Sequence, residues 1–363
     1  MVTTPEVPGS IGIPIRRSTT PRAKPDESSL EFGTVFADHI YLQEWHLDRG
    51  WHDARIEPYG SFSLDPAACV LHYAQAIFDG LKAFRQPDGK VKLFRPRKHA
   101  ERLINSARRM CIPPLEVEQI IQSFVTLVDL DRDWVPRSHG TSLYVRPTIV
   151  ATEPYLGVRP STSYLYFVIL SPVGSYYGGG MQPVKILVAD EYVRAVEGGV
   201  GAAKTAGNYA ASLYAAEQAK HKGYAQVLWL DGVHRRYVDE VGTMNIMLRV
   251  GDEVLTPPLS GTILPGITRD SVLTILRDWG IPVAERPISI EDVVEAHARG
   301  TLREVWGTGT AAAISPVGEL GYRDRQLVVN DGRIGELTQR LYDTLLGIQY
   351  GTQPDIFGWL HEI

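Results

Sequence analysis

Several things are scarce in this sequence, and each scarcity excludes something. The 363 residues contain two cysteines, Cys69 and Cys111. Two cysteines make neither a disulfide framework nor a zinc-ligand pattern, and such usage suits a reducing compartment. No apolar run approaches the length needed to cross a bilayer. A basic excess is missing too: 37 Lys and Arg stand against 42 Asp and Glu, a formal net charge of -5, which argues against a nucleic-acid binder. There is no internal repeat and no heptad pattern. The first 30 residues carry five prolines with Arg16, Arg17, Arg22 and Lys24, but no apolar core of a signal segment. Glu6, Asp26 and Glu27 disfavour a transit peptide. A flexible N-terminal arm on a cytoplasmic protein is the expectation.

What is present is a 44 % hydrophobic chain too long for one compact module, so two domains are expected. The pattern is mixed α and β (α+β or mixed α/β). Residues 1–34 read as the arm, 35–171 as a small domain and 172–182 as a Gly/Pro-rich interdomain loop. Residues 183–363 read as a larger domain. In the small domain the stretch Cys69–Phe84 reads as strand, leading to a turn at Pro87-Asp-Gly89 and a second short strand, Val91–Phe94. A helix is expected over 97–111, where Ala100, Leu103, Ile104, Ala107 and Cys111 share a face and Arg102 and Arg109 fall off it. Cys111 is expected to be a buried helix residue. A further helix at 116–130 and strands at Ser142–Ala151 and Tyr164–Leu170 follow. Beyond the linker, strands are expected at 184–190, 225–231 and 244–250, and helices at 208–222, 268–279 and 334–347.

Four segments carry chemistry. In Glu197–Ser212 a single long cationic side chain, Lys204, sits among Gly and Ala, so that something bulky can approach the backbone. A lysine amine that is neutral part of the time forms a Schiff base with an aldehyde. Composition by itself favours the plainer description, a flexible surface loop with a solvated lysine. Tyr209, five residues on, starts a helix and can either hydrogen-bond a cofactor or pack. Glu240 precedes a Gly-Thr turn and an apolar strand; a carboxyl at such a junction needs a partner, be it a protonated ring nitrogen or a salt bridge. In Leu264-Pro-Gly-Ile-Thr268 a turn leads into a helix with Thr268 as the expected N-cap. Free N–H groups there favour phosphate, although a plain capped helix reads the same. Trp306–Ala313 reads as a small hydroxyl-bearing loop that can hold an anion or simply turn. Together the four amount to a phosphate cup, an amine for an aldehyde and an acid for a pyridine nitrogen, which is the set of groups that pyridoxal phosphate requires.

These residues stand in a recognisable order. The segments His72-Tyr73, Phe78-Asp-Gly-Leu-Lys-Ala-Phe84, Phe94-Arg-Pro96, Leu143-Tyr-Val-Arg-Pro147 and Glu153-Pro-Tyr-Leu-Gly157 come first. Gly198-Gly-Val-Gly201 before Lys204, Glu240-Val-Gly-Thr-Met-Asn245, Leu264-Pro-Gly266 and Gly307-Thr-Gly-Thr-Ala311 follow. From about residue 35 to 350 the chain closely resembles the branched-chain-amino-acid aminotransferases, pyridoxal-phosphate enzymes of fold type IV.

The resemblance implies that Lys204 holds the cofactor as a Schiff base and moves the proton. Glu240 would face the pyridine nitrogen and Tyr209 the 3' oxygen. Arg102, Ile267, Thr268 and Thr310 would hold the phosphate, Arg102 by turning its guanidinium out of the core. The implied substrate site comprises Tyr73, Phe78, Tyr144, Arg146, Leu156, Val158 and Tyr176, with the α-carboxylate near Thr310 and Ala311. Arg146 would admit the side-chain carboxylate of glutamate, and Tyr73, Leu156 and Val158 would complete the neighbouring subunit's site, which implies a homodimer. The implied reaction is transamination of L-leucine, L-isoleucine and L-valine with 2-oxoglutarate. One departure is visible: where some relatives carry a Cys-x-x-Cys pair, this chain has Ala312 and Ser315, so thiol regulation of that kind is not expected. D-amino-acid transamination and aminodeoxychorismate lyase chemistry share the lysine and the glutamate. Tyr144, Arg146 and the Glu153–Gly157 loop favour the branched-chain reading over both. Intact Lys204, Tyr209 and Glu240 speak against a non-catalytic scaffold.

Overall fold

The structure, a computed structural model, describes residues 12–174 and 181–363. The chain divides into two compact units, Met1–Gly174 with Leu360–Ile363, and Ser175–Trp359. The fold class is mixed α and β, with a sheet in each unit.

The first unit contains β1 (His39–His46), β2 (Gly50–Pro58), α1 (Cys69–Tyr73), β3 (Ala76–Phe78), β4 (Leu81–Arg85), β5 (Val91–Phe94), α2 (Pro96–Arg109), α3 (Val117–Leu130), β6 (Ser142–Ala151) and β7 (Ser163–Val173). Its sheet runs β5-β4-β6-β7-β1-β2, all antiparallel, with β3 also on β6. The β6–β7 ladder is unbroken from Ser142↔Val173 to Ala151↔Tyr164. These two strands are rich in Val, Ile, Leu and Tyr, which suit a pleated surface covered on one side. Helix α2 opens on Pro96 and lays Ala100, Leu103, Ile104 and Ala107 into the core with Phe124 of α3 and Trp134.

Several expectations are corrected here. Cys69–Phe84 is not one strand: α1 occupies its start, and Ala74 in the left-handed region (φ 50°) turns the chain into β3. Helix α2 ends at Arg109, so Cys111 lies beyond the helix, exposed, with φ 54°. Residues 12–34, expected within a flexible arm, are held along the unit. Ile15 bridges Ile56, the Arg22 N–H donates to Asp38, and Glu27 accepts from the N–H groups of Arg137 and Ser138. The last residues do not stay with the large domain. The strand Leu360–Glu362 pairs with β5, because its extended backbone completes that open edge.

The second unit contains β8 (Val184–Ala189), α4 (Ala206–His221), β9 (Gln226–Leu230), β10 (Val238–Val241), β11 (Met244–Val250), β12 (Glu253–Thr256), α5 (Ile267–Asp278), β13 (Val283–Glu285), α6 (Ile290–Ala298), β14 (Leu302–Gly309), β15 (Ala313–Tyr322), β16 (Arg325–Val328) and α7 (Glu336–Gln349). Strands β10-β9-β8-β15-β14-β11 are neighbours in that order, and β10 also pairs with β11. Six strands therefore close into a ring, and the hairpin β10–β11 is the closure. Gly242 makes its two-residue turn possible with φ 57°. No helix among the described residues is long and apolar enough to cross a membrane.

Candidate functional site

The Gly-rich segment before α4 does not form a floppy loop. The Asn208 side-chain amide donates to the carbonyls of Val200 and Ala203 at 2.8 and 3.0 Å and so ties the loop to the helix start. Gly201 lies flat against the Thr262 backbone; a Cβ there would stand 2.2 Å from the Thr262 oxygen, so no other residue fits. Held this way, Lys204 is half-buried, and its Nζ donates to Tyr209 Oη, in the first turn of α4, at 2.5 Å. An amine tied to a phenol in a partly dry setting has the placement that covalent chemistry with an aldehyde needs.

Glu240, on β10, is almost fully buried. The Arg194 guanidinium donates to its Oε2 at 2.5 Å, and the Asn245 amide donates to its Oε1 at 3.1 Å. Burial pushes the carboxyl up to about 7; Arg194 and then Lys204 pull it down, and the charge of Asp239 adds to the rise. Arg194, Tyr209 and Glu240 line one small cavity with Asn208 and Leu264. Lys204, Tyr209 and Glu240 therefore belong to one site within the second unit.

Asn245 links this site to the two phosphate-type segments. Its amide also donates to the Leu264 carbonyl at 2.9 Å, and Gly266 lies so close that a Cβ would meet Asn245 Oδ1 at 1.9 Å. Gly266 is the N-cap of α5, which places Ile267 and Thr268 in the first turn, where N–H groups point outward from the helix end. The expectation of Thr268 as N-cap is corrected: the extended backbone that precedes a helix falls at Gly266. On the other side Asn245 faces Thr308 across the β11–β14 ladder. The anticipated Trp306–Ala313 loop is shorter than expected, since Trp306–Gly309 continue β14 and Thr310, Ala311 and Ala312 alone turn into β15. Thr310 and Ala311 sit half-buried at that turn.

The substrate-type residues of the first unit form two groups. Tyr144 and Arg146 are on β6, and the Arg146 Nη2 donates to Tyr144 Oη at 3.1 Å. The same guanidinium lies 4.8 Å from the ring centre of Phe78 and 5.1 Å from that of Tyr144. Gly80 leaves room for this, as a Cβ there would overlap the Tyr144 hydroxyl. In the second group Tyr73, the last residue of α1, donates its hydroxyl to the Leu156 carbonyl, and Leu156 and Val158 are strongly exposed. Tyr176 lies outside the described residues.

Arg102 departs from expectation. Its guanidinium does not turn out of the core: the residue is 6 % exposed, and Nε and Nη2 both donate to Asp79 at 2.8 Å. His99 closes the cluster at 2.7 Å from Asp79. Arg102 and His99 hold the Asp79 carboxyl far below the usual range against its burial, and burial pushes His99 down to about 4. A buried carboxylate demands such pairing, which the apolar stripe of α2 alone did not reveal.

Sequence reading missed Arg194, Asn208, Asn245 and Asp79. Asn245 was reachable, since a two-residue turn at Gly242-Thr243 puts residues 240 and 245 opposite each other. Arg194 left no local sign, because its partner lies 46 positions away in the chain.

The family model for amino-transferase class IV matches residues 76–320. Branched-chain-amino-acid aminotransferase 2 of Bacillus subtilis (strain 168) is 52 % identical over 351 residues, which cover 97 % of each chain. The solved structure of the Escherichia coli branched-chain amino acid aminotransferase superposes with a TM-score of 0.74 at 26 % identity, over 89 % of this chain and 98 % of that one. A branched-chain amino acid aminotransferase of T.th., solved with pyridoxamine 5'-phosphate, superposes with a TM-score of 0.73 at 25 % identity, over 88 % of this chain and 97 % of that one. An amine bonded to a phenol, a buried carboxyl and a helix start around Asn245 are the groups this cofactor class needs, and with the match spanning nearly the whole chain, the protein belongs to the branched-chain-amino-acid aminotransferases of class IV, enzymes dependent on pyridoxal 5'-phosphate.

Proposed function

We propose that the protein exchanges the amino group of L-leucine, L-isoleucine and L-valine with 2-oxoglutarate, reversibly, giving branched-chain 2-oxo acids and L-glutamate. The observation that carries this reading is the Lys204–Tyr209 bond beside buried Glu240, taken with 52 % identity to a relative of that name.

When bound, pyridoxal phosphate supplies an electron-withdrawing ring conjugated to the substrate's nitrogen, which makes the Cα–H acidic. Lys204 would hold the cofactor through its ε-amine, and that amine is the base placed to take the proton from the substrate Cα and return it. The Tyr209 phenol accepts a hydrogen bond from that amine at 2.5 Å and would orient the ring's 3' oxygen. Glu240 would face the ring nitrogen; Arg194 and Asn245 fix its two oxygens, so a proton shared there would stay in place. The N–H groups of Ile267 and Thr268 at the start of α5 and the Thr310 hydroxyl would hold the phosphate.

Phe78 and Tyr144 give the substrate an apolar, aromatic wall, with Tyr176 assigned to the same wall by the resemblance alone. Arg146, lying over both rings, is a guanidinium that can be recruited by the second carboxylate of glutamate and otherwise leaves the wall apolar. The substrate α-carboxylate meets the Thr310–Ala311 turn. The exposed Tyr73, Leu156 and Val158 complete the site of a second copy in a cytoplasmic homodimer. A steady-state panel of donors against 2-oxoglutarate tests the reading: leucine, isoleucine and valine turn over and D-alanine does not. Turnover of D-alanine in preference to leucine would reject it in favour of another fold type IV activity.

A further inference from the structure

Strand β10 presents two carboxyl groups to two different spaces, since successive strand residues face opposite ways. Glu240 faces the Tyr209 cavity. Asp239 lines a separate cavity of about 470 Å³ that lies wholly within the second unit. That volume is in the range of small-molecule sites. Val233, Val238, Pro257, Pro258, Ile263 and Pro287 form the apolar part of the lining, and the remainder is polar, with His234 and Tyr237 in it.

Asp239 is 7 % exposed. Its Oδ1 accepts from the Thr262 hydroxyl at 3.4 Å, a long bond, and its Oδ2 has no hydrogen-bond partner among the described residues. Burial pushes the carboxyl up to about 6, with Arg194 pulling it back and Asp231 adding to the rise. An enclosed carboxyl that holds one long hydrogen bond leaves an oxygen that a donor entering the cavity can meet. The other carboxyl groups do not supply an alternative. Asp231 is consumed by the backbone N–H groups of Val233, His234, Arg236 and Tyr237. Glu197 adds negative charge to the lining. An anion is therefore repelled, and among the described residues no group of three His, Cys, Asp or Glu can hold a metal ion.

We propose that this cavity is a second ligand site, for a small organic cation whose nitrogen donors meet Asp239 and whose apolar body lies against the proline walls. The site adjoins the candidate active site through one residue. Thr262 donates its hydroxyl to Asp239, and its carbonyl accepts from Arg194, the ion-pair partner of Glu240. The negative charge of Asp239 also raises Glu240, so a cation bound at Asp239 relieves that push.

The test uses the holoenzyme and two isosteric probes, isobutylguanidinium and neutral isobutylurea; a guanidinium is chosen because a primary amine reacts with the cofactor aldehyde. By calorimetry the guanidinium binds saturably, one per chain, at least about tenfold more tightly than the urea, the ratio expected of a charge-assisted hydrogen bond. Asp239→Asn erases that advantage. Val233→Arg, at an exposed wall position, places a competing cation at the mouth and weakens the guanidinium by a similar factor, which keeps the test decisive if Asp239→Asn fails to fold. Equal binding of the two probes to the wild type, no saturable binding, or unchanged guanidinium affinity in both variants overturns the proposal.

Discussion

The two units handle buried charge in opposite ways. The first gathers it into one closed cluster, Asp79 with His99 and Arg102, in which each partner neutralises another and the Asp79 carboxyl is held far down. The second leaves its carboxyls strained upward: Glu240 to about 7 and Asp239 to about 6, with Arg194 shared between them. A cluster that is fully satisfied is rigid and suits positioning. A network held off its ordinary protonation is where proton chemistry at neutral pH becomes possible. Under the proposed function, the first unit would supply recognition, through Phe78, Tyr144 and Arg146, and the second reactivity, through Lys204, Tyr209 and Glu240.

The contrast can be broken most severely at Lys204. Lys204→Ala is expected to lower turnover of leucine by about 10⁴-fold or more while far-ultraviolet circular dichroism stays that of the wild type; residual turnover near the wild-type rate would remove reactivity from the second unit. Next in size is Asp79→Ala, which leaves Arg102 and His99 buried without their anion. It should destabilise the fold by about 3–5 kcal/mol, read by urea unfolding, and a loss under about 1 kcal/mol would show that the first unit does not depend on a closed cluster. Arg146→Leu should raise KM for glutamate by about 10–100-fold and change KM for leucine little, which separates recognition from chemistry in a single variant. Tyr209→Phe, which removes the phenol but keeps the ring, should lower kcat by about tenfold; an unchanged kcat would limit Tyr209 to packing.

The smallest effect concerns pH. Burial raises Glu240 above the ordinary carboxyl range, so the folded cofactor-free chain holds that proton more tightly than the unfolded chain does. Stability from this group is present at acid pH and is lost as pH rises through about 7. Glu240→Gln should flatten that part of the melting-temperature profile, with the remaining slope, up to about 6, assigned to Asp239. A slope of opposite sign would mean that Arg194 outweighs burial.

Much of the scaffold was legible because its signals are local. Ser142–Ala151 and Met244–Val250 have the expected bounds, and α3 is displaced by one residue at its start. The alternation or periodicity that marks such elements is written within the element itself. Cys69–Tyr73 misled for the same reason: an apolar pentapeptide suits strand or helix, and the turn at Ala74 decides. The pairing of Glu240 with Asn245 went unread although only a two-residue turn separates their strands.

By itself the sequence determined the alternation of strands and helices, the family, and the cofactor that an ordered set of Lys204, Tyr209, Glu240 and Gly-rich turns requires. Tertiary structure alone decided which charges meet. Arg194 reaches Glu240 across 46 residues and Arg102 reaches Asp79 across 23, and no local periodicity encodes such distances. The same holds for Asp239, an ordinary acidic residue in the sequence. Its energetic character comes from the cavity that β10 and the 257–263 segment enclose around it, because the cost of a charge is set by what replaces its water.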